Sequence, residues 1–115
     1  MTIIVGGNEM ELDISKLTFE ERVYSEFFDT TFLYFIVPRE LISDKYPEAE
    51  SARIRIEVDN YDPYGPYYEI MISPTKDGID YDWWCLYTRE QDTVRKLIDI
   101  GFNQGKENNS DGDEN

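Results

Sequence analysis

From Ala52 to Val58 the chain alternates without a break: Ala52, Ile54, Ile56 and Val58 are apolar, and Arg53, Arg55 and Glu57 are charged. Successive side chains of a strand point to opposite faces, so this segment reads as a strand with one face on a core and one in water. The residues that follow supply its neighbours. Tyr61-Asp62-Pro63-Tyr64-Gly65-Pro66 is loop chemistry, because two prolines and a glycine cannot continue a ladder. Tyr68, Ile70 and Ile72 form the inward set of a second strand, Thr75-Lys76-Asp77-Gly78 supplies a turn, and residues 79–87 form a third strand. Its alternation assigns Ile79, Tyr81, Trp83, Cys85 and Tyr87 inward, and Asp80, Asp82, Trp84 and Leu86 outward. An antiparallel three-stranded meander is the expected centre of the fold.

The flanking segments add to it. Residues 2–5 and 9–14 surround Gly6-Gly7-Asn8, which predicts an N-terminal hairpin. Thr18 and Glu21 have capping-box spacing, and Phe19, Val23 and Phe27 recur at helical spacing, which predicts a helix over 19–28. The aromatic and β-branched run Phe32 to Val37 predicts a strand buried on both faces, and Pro38 opens a short helix through about Lys45. Thr88 and Gln91 open a closing helix whose stripe is Val94, Leu97, Ile98 and Phe102, with Gly101 and Gly105 at its end. The fold class that follows is α+β. A five- or six-stranded, mostly antiparallel sheet carries two or three helices in one domain over 1–104, and residues 105–115 form an acidic tail expected to be disordered.

Composition narrows function by exclusion. The 115 residues include 25 acids, 11 bases and no histidine, for a net charge of −14. Without histidine the commonest general base, the Ser-His and Cys-His dyads and the commonest metal ligand are absent. Gly6-Gly7 lacks the spacing of a phosphate loop. The single cysteine, Cys85, excludes an internal disulfide; its setting in Trp-Trp-Cys-Leu-Tyr reads as a buried core thiol. Phosphate and anionic membranes repel a chain this acidic. Its longest apolar run is six residues, Phe32 to Val37, far short of a membrane span. The N-terminus lacks the basic and apolar regions of a signal peptide, so a cytoplasmic setting is the expectation.

What remains is a surface. Between Glu57 and Asp82 stand seven carboxylates (Glu57, Asp59, Asp62, Glu69, Asp77, Asp80 and Asp82) against one base, Lys76. Tyr61, Tyr64, Tyr67, Tyr68, Tyr81, Trp83 and Trp84 run among them. If the apolar sets face the core together, Glu57, Glu69, Asp80 and Asp82 share the outer face with Arg53, Arg55, Met71, Trp84 and Leu86. The bland reading is solubility. The functional reading is a non-enzymatic acidic interaction protein that binds a basic, nucleic-acid-handling protein through Glu57, Asp59, Asp62, Glu69, Asp80, Asp82 and Trp84. By charge and size alone it compares with the DNA-mimicking inhibitors by which mobile elements counter restriction or CRISPR nucleases. No direct nucleic-acid or membrane contact and no cofactor is expected. The alternatives are an adaptor or homo-oligomerisation module using an aromatic-rich sheet face, and a carboxylate-metal enzyme in which Asp77, Asp80 and Asp82 hold a hard cation. Magnitude tempers mimicry. A compact chain of this mass exposes roughly 6,500 Å², or about 470 Å² per net charge, against roughly 110 Å² per phosphate on duplex DNA. Mimicry therefore requires the acids to concentrate on one face.

Overall fold

The computed structural model describes residues 1–59, 67–104 and 107–109. Gly6 and Gly7, both at positive φ (58° and 82°), turn β1 (Thr2–Val5) back as β2 (Asn8–Glu11), the hairpin expected from the glycine pair. A 3-10 turn at Ile14–Lys16, capped by Asp13, leads to β3 (Thr18–Ser25). β4 (Thr30–Pro38), a 3-10 turn at Arg39–Leu41, β5 (Ser51–Asp59), β6 (Tyr67–Lys76), β7 (Ile79–Asp80) and β8 (Trp84–Tyr87) follow. The helix α1 (Gln91–Asn103) and the short β9 (Glu107–Asn109) complete the order. The described strands form one sheet in the order β2-β1-β8-β6-β5-β4-β3-β9, with β7 on β6, and every pairing but β3–β9 is antiparallel.

The architecture is a mostly antiparallel sheet with one α-helix among the described residues, so the expected α+β class holds while the element counts change. The largest change is β3. Its capping-box and helical spacing are overridden by pairing along β4, from Thr18 opposite Ile36 to Ser25 opposite Thr30, with a bulge at Glu20. Thr, Phe, Val and Tyr suit a pleated surface, and a partner strand outweighs a local helical signal. Phe27 leaves the expected helix stripe for the β3–β4 turn. The short helix expected after Pro38 shrinks to the 3-10 turn and irregular backbone through Lys45.

Leu33, Phe35 and Val37 of β4, Ala52, Ile54 and Ile56 of β5, Ile72 of β6 and Leu86 of β8 form the buried face. Ile3 and Val5 extend it, and Leu12, Ile42 and Ala49 complete its cover with α1. On the helix, Val94, Leu97 and Gly101 are buried; the expected stripe position Phe102 is 40% exposed. The opposite sheet face is half-buried, so β4 is not enclosed on both sides as its apolar run suggested.

The third meander strand departs most instructively. Thr75 pairs with Asp80 and Lys76 with Ile79 across Asp77-Gly78, both at positive φ, as the Asp-Gly turn signal requires. Pro74 then offers no N–H to the ladder. The chain detours, with Tyr81 N–H donating to the Pro74 carbonyl and Asp82 N–H to Ser73 Oγ. Pairing resumes with Ile72 opposite Trp84 and Met71 opposite Cys85, one residue later than an unbroken ladder would have it. A one-residue slip reverses every side chain. Leu86 is therefore core, whereas Cys85 and Tyr87 are exposed, the reverse of the assignment from alternation. The thiol read as buried lies in the open.

Candidate functional site

The sheet face away from α1 is organised by two arginines. Arg53 on β5 lies over the Tyr34 ring at 4.2 Å. Its guanidinium donates to Glu20 Oε1 from Nε and Nη2 at 2.8 and 2.6 Å, and to Asp80 Oδ2 from Nη1 at 2.8 Å, with Glu21 at 3.5 Å. Burial opposes its charge, but the hydrogen bonds it donates to Asp80 and Glu20, with their negative charge, outweigh burial and raise its pKa. The β3 bulge brings both Glu20 and Glu21 to this one guanidinium. Asp80 is fixed from its other oxygen by Thr75 Oγ1 at 2.6 Å.

Arg55, two residues on, shares the face. Its guanidinium stacks on Trp83 at 4.5 Å and lies 5.9 Å from the Phe32 ring. It donates to Met71 Sδ at 3.0 Å and more weakly to Glu57 at 3.4 Å. Its Nε is buried without a hydrogen-bond partner among the described residues. Register sets Glu57 directly opposite Glu69. Like charges so placed repel, and the nearby Arg55 offsets the repulsion at Glu57.

The residues chosen from sequence thus divide. Glu57, Glu69 and Asp80 do share the outer face with Arg53 and Arg55, and Asp80 pairs with Arg53. Asp59 ends β5 opposite Thr30, at the far end of the sheet. Asp62 lies outside the described residues, as does the rest of the loop 60–66. Asp82 and Trp84 do not join the outer face. With Val5, Gly6, Lys45 and Tyr46 they line a separate cavity of about 230 Å³. Trp84, 48% exposed, follows Ile72 in facing. Leu86, expected outside, is 3% exposed in the core.

A second cavity of about 410 Å³ opens where β8 leaves β6 for β1, between Tyr68 and Ile70 on one side and Leu86 and Tyr87 on the other. Tyr68 closes its end by donating to Gln91 Oε1 of α1. Among the described residues no group of three or more Cys, Asp or Glu side chains is arranged to hold a metal ion, so Asp77, Asp80 and Asp82 do not form the cation site considered from sequence. No described helix is long and apolar enough to cross a membrane.

Sequence reasoning missed the aromatic partners of the two arginines. The usable signal was the Arg-x-Arg pair within an alternating strand beside the aromatic-rich β4. It also missed Phe27 and Phe28, 83% and 65% exposed at the β3–β4 turn; there the signal was Glu-Phe-Phe-Asp between two runs of strand formers. The chain matches no protein-family model, no curated protein and no solved structure.

Proposed function

We propose that this is a non-enzymatic acidic interaction protein that binds and inhibits a basic, nucleic-acid-binding protein. One observation carries the reading: Arg22, Arg53 and Arg55, three of the six arginines, are engaged within the fold, while most of the described acids are exposed. Arg22 donates to the Gly101 and Phe102 carbonyls, and Arg53 and Arg55 are stacked on rings and paired. Among the described residues, fifteen exposed carboxylates stand against six exposed bases. The exposed charge is therefore strongly negative, which favours encounter with a basic surface and repels nucleic acid itself.

Strict phosphate mimicry is a poorer description. The surface of 7167 Å² carries a net charge of −14, about 510 Å² per charge, against roughly 110 Å² per phosphate of duplex DNA. Charge steers the encounter, and apolar contacts must contribute the rest of the affinity. A second reading, an adaptor or self-associating module, is favoured by Tyr81, Trp84 and Tyr87, which are 50%, 48% and 65% exposed.

Affinity capture from host lysate at low and moderate salt, followed by purification of the retained protein, tests the proposal. A basic nucleic-acid-binding protein held in a salt-sensitive way and displaced by DNA or RNA supports it. Glu69→Lys with Asp82→Lys should weaken that capture without changing the circular dichroism. Asp80 is unsuitable for this test, because its reversal strikes Arg53 and Thr75. Salt-resistant capture of a non-basic protein, or of the chain alone, refutes the proposal in favour of the second reading.

A further inference from the structure

We propose that the β3–β4 turn is a docking tip that seats Phe27 and Phe28 in an apolar pocket rimmed by basic side chains on the partner protein. This rests on the reading of the chain as the acidic ligand of a basic protein, and it names the contact surface.

The ladder of β3 and β4 ends at Ser25 opposite Thr30. Asp29 N–H donates to the Glu26 carbonyl at 3.4 Å, and Asp29 adopts a left-handed conformation with φ 50°. Phe27 and Phe28 are therefore the two corner residues of a β-turn. Phe28 N–H donates to Ser25 Oγ at 3.3 Å, Thr30 Oγ1 donates to the Phe28 carbonyl at 3.1 Å, and Tyr24 donates to the Asp29 carboxylate at 2.8 Å. The polar residues of this turn hold its shape, and each does so for a recognisable reason. None of these hydrogen bonds uses either phenylalanine ring.

The core does not take the rings either. They meet edge to face, with centroids 4.8 Å apart and planes at 78°, and stay largely in water. Two adjacent aromatic rings held outward on a hydrogen-bonded turn resemble the anchors of protein interfaces. A preformed tip also loses little conformational freedom on docking. Charge selects the partner. Glu26 is exposed beside the rings, Asp29 follows them, and register places Asp59 across from Thr30 at the base. An acidic collar fits a pocket with a basic rim. It disfavours an anionic lipid surface and a second acidic tip.

The probe is the basic protein retained by the wild-type chain in the capture described above, purified and titrated against the full chain by calorimetry. Phe27→Ser and Phe28→Ser should each weaken binding about tenfold or more, and the double variant further, with thermal unfolding unchanged. Glu26→Lys should lower the association rate and flatten its salt dependence. Wild-type affinity in the double variant overturns the docking tip while leaving the functional reading intact. If the wild type retains no basic protein, both fall. Self-association in sedimentation velocity, or binding to neutral phosphatidylcholine vesicles, that disappears in the double variant would assign the rings to a second copy or to lipid, and overturns the proposal.

Discussion

Gly101 of α1 packs directly on Leu33 of β4, and replacing it with alanine sets two effects of opposite sign against each other. In an exposed helix interior Gly→Ala stabilises by about 1 kcal/mol, through reduced backbone freedom in the unfolded chain. Here a β-carbon would stand 2.8 Å from both δ-carbons of Leu33 and 3.1 Å from its γ-carbon. Carbon pairs are at ease near 3.5–4.0 Å. Leu33 is 0% exposed and the clash reaches its branch point, so rotation of a terminal methyl does not relieve it. Overpacking of this kind costs about 1–3 kcal/mol. The expected balance is a net loss of about 1 kcal/mol, which lowers the melting temperature by roughly 4 °C in a domain of this size. Urea denaturation of Gly101→Ala, Leu33→Ala and the double variant measures it. Leu33→Ala alone should cost about 3 kcal/mol, and at least ~1 kcal/mol less when Gly101→Ala is already in place, because the cavity receives the new methyl. A higher urea midpoint for Gly101→Ala, or additivity within ~0.3 kcal/mol, would show that helix and sheet are not in the contact described.

Three further perturbations address the outer face and the separate cavity. Arg53→Met leaves Glu20, Glu21 and Asp80 together without their shared cation; with the arginine 22% and Asp80 15% exposed, the expected loss is about 1–2 kcal/mol in urea denaturation. Arg53→Lys should recover part of it, since an ammonium cannot reproduce the fork; a loss under ~0.5 kcal/mol in Arg53→Met would deny the network its structural role. Tyr46 has a buried hydroxyl with no hydrogen-bond partner among the described residues, so Tyr46→Phe should equal or exceed the wild type in stability at neutral pH. Burial first, then the charges of Asp82 and Tyr81, raise the Tyr46 pKa. Its contribution is complete below the unfolded value of about 10 and is lost as pH climbs through the folded value. Tyr46→Phe should accordingly lose less stability than the wild type between about pH 9 and pH 11; an identical decline refutes the assignment. Cys85 is exposed, so native protein should react with a disulfide reagent to one thiol per chain without denaturant, and labelling that requires urea would return the thiol to the core.

How much of this was legible in the chain depends on the range of the interaction that decides each feature. The Gly6-Gly7 and Asp77-Gly78 turns, the β5 alternation, the β6 core set and the body of the closing helix follow from contacts a few residues apart and stand where the sequence puts them, although the helix starts behind Glu90 rather than Thr88 and leaves Phe102 exposed. The pairing of Arg53 with Asp80 was accessible from the expectation that both lie on one face of neighbouring strands. The grouping of Asp82 and Trp84 with that face was not, because it assumed an unbroken third strand.

Local chemistry alone therefore determined an acidic α+β chain with an antiparallel meander, its outer arginines and its lack of histidine chemistry. The tertiary structure decided the rest. Residues 18–25 became a strand because β4 offers a partner for the whole segment, whereas a capping box satisfies only the ends of a helix. A single extra residue beyond Pro74 exchanged Leu86 for Cys85 at the core, because strand periodicity turns a slip of one into a change of face. Phe27 and Phe28 are exposed for the same kind of reason: once β3 pairs with β4, they fall at the corners of the turn that joins the two strands rather than on a face of the sheet.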